Sequence, residues 1–89
     1  MILLVVHDIP LDDGVRKPWF VGLDAQVGRP LAIAFAQRDG VKLSGAALFA
    51  RLSKSDVVEI LRAGCRVLEH MQSGLRKRLL GLMTMRGRR

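Results

Sequence analysis

The sequence predicts an α+β fold: a four-stranded antiparallel β-meander followed by one long C-terminal α-helix, in a dimeric protein. Three observations carry this. Asp-Gly occurs at Asp13-Gly14 and again at Asp39-Gly40, with Gly28-Arg29-Pro30 between them. Such pairs mark tight reversals, because glycine adopts positive φ without a Cβ penalty. The apolar period then changes from two to between three and four at about Ser53. Finally, 49% of the 89 residues are hydrophobic. That is more apolar material than one small solvated domain needs, so a second subunit is expected to cover part of it.

The first strand is ILLVVHDI, residues 2–9, which is apolar on both alternating faces. The turn LDDGV leads into VRKPWFVGLD, residues 15–24. Pro18 cannot donate a ladder hydrogen bond, so the start of this strand belongs near an end or an edge. After QVGRP comes PLAIAFAQR, residues 30–38, with Leu31, Ile33 and Phe35 expected on one face and the alanines on the other. QRDGV turns the chain into a fourth strand, VKLSGAALFARL, residues 41–52, with a bulge or bend at Gly45.

The helix begins near residue 54. Ser53 and Ser55 are candidate N-caps, and Asp56 falls in the first turn. Val57, Leu61, Gly64, Leu68, Met71 and Leu75 form a seam widened by Ile60 and Val67. Glu59, Arg62, Arg66 and Glu69 line the opposite side. We expect this seam to be the dimer interface, with Gly64 allowing two helices to approach closely. The helix either stops at Gly74 or continues through Leu79 and Leu82.

Charge is divided unevenly. Residues 1–75 hold nine Lys/Arg against eight Asp/Glu, whereas residues 76–89 hold six Lys/Arg and no acid, which gives the net +7. A near-neutral domain (1–75) thus carries a cationic end (76–89): Arg76, Lys77, Arg78, Arg86, Arg88 and Arg89. Blocks of this kind suit phosphate-rich partners. In RKPWFV, residues 16–21, Arg16 and Lys17 stand beside Trp19 and Phe20. Cations along phosphates and rings on bases are what single-stranded nucleic acid requires; the other reading of Trp19 is a core plug.

Enzyme signals are poor. There is no nucleophile motif, no phosphate-cradling glycine loop and no tyrosine. His7, Asp8, Asp12 and Asp13 could be drawn as a metal site, but turn chemistry explains the two later aspartates better. Cys65 and His70 lie in no helical register that joins them. No metal and no cofactor are expected. A single cysteine fits a reducing interior, and MILLVVHDIP lacks the basic leader and cleavage site of a signal peptide. No apolar run has the length of a membrane span, so the expected location is the cytoplasm.

Four strands then a helix, with ARLSKSDVVEIL (50–61) at the junction, resembles the positive-cofactor-four-like family of single-stranded DNA-binding transcription coactivators, which has phage relatives. The likeness spans about residues 2–72. It implies a curved sheet that binds the strand, helices that pair the subunits, and sheet contacts at Arg16, Lys17, Trp19, Arg38 and Arg51. The competing expectation is a small phage- or plasmid-type module that docks on a host protein. A third is a basic amphipathic helix end lying on an anionic membrane.

Overall fold

The computed structural model of the protein describes residues 1–87, and the side chains of residues 1–74. Strands β1 (Ile2–Pro10), β2 (Arg16–Gln26), β3 (Arg29–Arg38) and β4 (Val41–Ser44) form one sheet in the order β1-β2-β3-β4, every pair antiparallel. A short helix α1 (Gly45–Phe49) and a long helix α2 (Lys54–Gly87) follow. The α+β meander with a C-terminal helix is therefore the observed architecture.

Each reversal uses positive φ where the sequence supplies it. Asp39 (φ 48°) and Gly40 (φ 79°) make a two-residue β3–β4 turn of the twist-compatible kind. At the β2–β3 turn the same conformation falls on Val27 (φ 52°) and Gly28 (φ 77°). A β-branched residue at positive φ is a strained choice. In the first turn Leu11 and Val15 pair through the Leu11 N–H, Gly14 (φ 80°) closes the bend, and Asp13 Oδ1 accepts the Val15 N–H at 3.0 Å.

Pro18 resolves as its chemistry requires. It pairs with Asp8 of β1, but β3 joins β2 only from Phe20 onward. Residues 16–19 thus form a two-stranded extension, where a missing N–H on the β3 side breaks no ladder.

Two expectations are corrected. The fourth strand ends at Ser44, not residue 52, because Gly45 turns to φ 55° and the helix-favouring run Ala46-Ala47-Leu48 takes over. This drives Leu48 fully into the core. Nor does β3 alternate cleanly. Register shifts beside Leu23 and Ala25 leave Ala34 and Leu31 unpaired, so Ile33 pairs with Leu23 on the covered face while Phe35 lies over Gly22 on the other.

Helix α2 crosses β1, β2 and β3 on one face only. Leu3, Val5, Ile9, Val21, Leu23, Ala25, Ile33 and Ala36 meet Leu48, Ile60 and Leu68 there. Gly64 sits so close to the sheet that an added Cβ would lie 2.6 Å from Leu23 Cδ1. The helix seam is thus applied to the chain's own sheet: Leu68 and Ile60 are buried, Val57 and Leu61 are partly buried against the same core, and Met71 is exposed. A dimer built on that seam would have to compete with the domain's own core. Leu75, the last seam position, lies beyond the described side chains. The helix passes Gly74 without stopping.

Candidate functional site

Two surfaces and one buried cluster carry the chemistry. The cluster begins at the start of α2. Ser53 Oγ accepts the Asp56 N–H at 3.1 Å, and Asp56 Oδ2 accepts the Ser53 N–H and hydroxyl, each at 3.0 Å. This reciprocal cap explains why the helix starts at Lys54. The other Asp56 oxygen, Oδ1, lies 2.8 Å from His7 Nε2 on β1 and accepts Arg16 Nη2 of β2 at 2.5 Å. Arg16 Nη2 also reaches the Asp8 carbonyl at 2.6 Å. One nearly buried carboxylate therefore joins the helix cap to the first hairpin. Burial opposes its ionisation. Hydrogen bonds from His7, from the Ser53 N–H and hydroxyl, and from Arg16 outweigh that and hold the Asp56 carboxyl well below the usual carboxylate range.

Glu59 brings a third ligand-type group near His7 and Asp56, with one donor atom of each within 4.8 Å of the others. The Arg16 guanidinium already occupies the shared Asp56 oxygen and opposes a second cation there. We read the cluster as a clasp, not a metal centre. The aspartates first weighed for metal binding have other duties: Asp12 pairs with Arg51 at 2.8 Å and Asp13 closes its turn.

The first surface is an open cleft of about 500 Å³ at the end of the sheet that α2 leaves uncovered. Leu11, Trp19, Val41 and Leu43 make its apolar wall, with Arg38 and Arg51 beside it. Asp12, Asp13 and Asp39 share the rim and outnumber those two cations. Arg51 also donates to the Pro10 carbonyl at 3.3 Å, which ties the first turn to the α1–α2 link.

Trp19 is 4% exposed, and its Nε1 has no hydrogen-bond partner among the described residues. It is a core side chain, and the expectation of a base-stacking platform at Trp19 is corrected. Its odd-numbered place in β2 faces the helix layer with Val21 and Leu23. Phe20, its neighbour in RKPWFV, points the other way and is 58% exposed.

The second surface is the sheet face opposite α2. Ile2, Leu4 and Val6 of β1 are each about half exposed or more, with Val6 beside Phe20 of β2, Leu4 beside Gly22 and Ile2 beside Asp24. Phe35 of β3 covers Gly22, and Lys42 Nζ of β4 lies 4.6 Å from the Phe35 ring centre. Sequence reasoning did not single out Leu4, Val6 or Phe35 as surface groups. The signal was present in ILLVVHDI, whose two apolar faces exceed what one covering helix can bury.

The expected sheet cations are not gathered into one patch. Arg16 is held by Asp56, Arg51 by Asp12, and Arg38 lies 3.6 Å from Asp39. Lys17 is exposed and has no ion pair among the described residues. Arg76, Lys77, Arg78 and Arg86 fall where side chains lie outside the described set, and Arg88 and Arg89 lie outside the described residues. Cys65 is exposed on the helix flank. Among the described residues no helix is long and apolar enough to cross a membrane. The chain matches no protein-family model, no curated protein and no solved structure.

Proposed function

We propose that the protein is a non-enzymatic nucleic-acid-binding protein that takes single-stranded DNA, without sequence preference, on the basic end of α2. The observation that carries this is the charge division: six cations and no acid in residues 76–89, beside a body of net +1. Geometry supports it. The helix meets the β2–β3 turn where Gln72 lies against Gly28, then continues to Gly87. At about 1.5 Å per residue that is roughly 20 Å of helix beyond the turn. The sheet contributes less than the resemblance to the positive-cofactor-four-like family implies, because Arg16, Arg38 and Arg51 face acids of their own chain. A cytoplasmic setting fits this reading.

Fluorescence anisotropy with a labelled oligothymidine at several salt concentrations tests it. Six phosphate contacts on a single strand give a log–log salt slope of about −4. Removing residues 76–89 abolishes most of that slope, while Arg38→Gln changes it by less than about one contact's share. If the full chain binds neither single- nor double-stranded nucleic acid at low salt, the reading fails. Docking of the same basic end on an acidic host protein then takes its place.

A further inference from the structure

We infer that two copies of this chain associate through the open sheet face, stacking sheet on sheet with α2 on the outside of each. This goes beyond the nucleic-acid reading and does not depend on it.

The face is apolar at its centre and charged only at its margins. Val6 is 60% exposed, Phe20 58%, Leu4 56% and Ile2 49%. In register terms Leu4 and Gly22 share a row with Phe35, and Val6 and Phe20 share the next row with Gln37 and Lys42. Asp24 sits beside Ile2 at one end and Asp8 beside Pro18 at the other. Contiguous apolar surface on this scale marks an interaction site.

Its chemistry selects the occupant. A nucleic-acid strand needs cations along its path. Here Lys42 is set over the Phe35 ring and two aspartates flank the patch. A second copy needs no charge match, because the body is nearly neutral and repels itself little. With strands about 4.8 Å apart and about 3.3 Å of rise per residue, the face from Ile2 to Val6 runs roughly 16 Å along the strands, three strands wide at the Ile2 row and four strands wide at the Leu4 and Val6 rows. Two such faces come to roughly 600 Å² in projection, the small end of interface sizes, so the association is weak and reversible. Aligned sheets stack about 10 Å apart, a spacing that side chains the size of Leu4, Val6 and Phe20 fill. Helix α2 occupies the opposite face, so stacking leaves both basic ends uncovered. The dimer expected from the apolar content is retained, but on a different surface from the helix seam.

Sedimentation equilibrium of the full chain between about 5 and 100 μM, a range spanning micromolar affinity, reads the outcome. Wild type gives twice the chain mass at the upper end. The charge-neutral double variant Leu4→Gln/Phe20→Gln gives the chain mass with an unchanged circular dichroism spectrum, and Val6→Gln alone raises the dissociation constant tenfold or more. Val58→Gln, on the exposed side of α2, leaves the mass doubled. A monomeric wild type at 100 μM overturns the inference. So does a double variant that stays dimeric, or one that stays at wild-type mass while losing oligonucleotide binding, which would assign the face to base stacking. Failure of the nucleic-acid reading appears separately, as a dimer that binds no oligonucleotide.

Discussion

At the scale of single residues, Asp56 and Val27 show opposite relations between sequence and strain. Asp56 is nearly buried, yet five hydrogen-bond contacts satisfy it. Replacing it with alanine keeps the Ser53 Oγ bond to the residue-56 N–H but removes the carboxylate half of the reciprocal cap and the shared acceptor of His7 and Arg16, at a cost of about 3 kcal/mol. Its pH signature has a definite sign. The folded carboxyl titrates below its unfolded value, so its contribution is full above the unfolded pKa of about 4 and falls as pH drops below that. Chemical denaturation of wild type weakens between about pH 4 and pH 2 in excess of any change in Asp56→Ala. Val27 is fully exposed and holds φ 52° with no packing in return. Val27→Asn gives the turn its preferred Asn-Gly pair and raises stability by about 1 kcal/mol, read as an increase in melting temperature.

At the scale of elements, what was legible in the sequence was local. Asp39-Gly40, Gly28 and the Ser53 cap each act over a few residues, so turns and helix start could be placed from residue type alone. The clasp was not legible, since His7 and Asp56 are 49 positions apart and nothing in either neighbourhood names the other. The facing of Trp19 and Phe20 was half legible: adjacent strand residues must point apart, but which one meets the core depends on the β1–β2 register. The β3 bulges and the conversion of residues 45–49 to helix were hidden because alanine-rich segments fit either period. The seam of α2 was correctly recognised as an apolar stripe, and the structure gives it a partner within the chain. Leu68→Glu therefore lowers stability by about 3 kcal/mol or more at every protein concentration. A Leu68→Glu loss of stability that appeared only at concentrations where the wild-type chain self-associates would instead point to a helix-mediated dimer.

At the scale of the whole molecule, the body folds as a meander under one helix, and the proposed function assigns binding to the basic end of α2. All three strand pairings are between sequence neighbours, so the sheet assembles from consecutive hairpins with little loop entropy to overcome. The Asp56 clasp differs, because it joins the first hairpin to a helix made last in the chain. Closing so long a loop is slow to be rewarded, so we predict that its contacts form after the rate-limiting barrier. In stopped-flow measurements Asp56→Ala accelerates unfolding roughly a hundredfold while leaving the refolding rate within about twofold. On that outcome the Asp56 carboxylate governs how long a folded molecule lasts, and the hairpins govern how soon it forms.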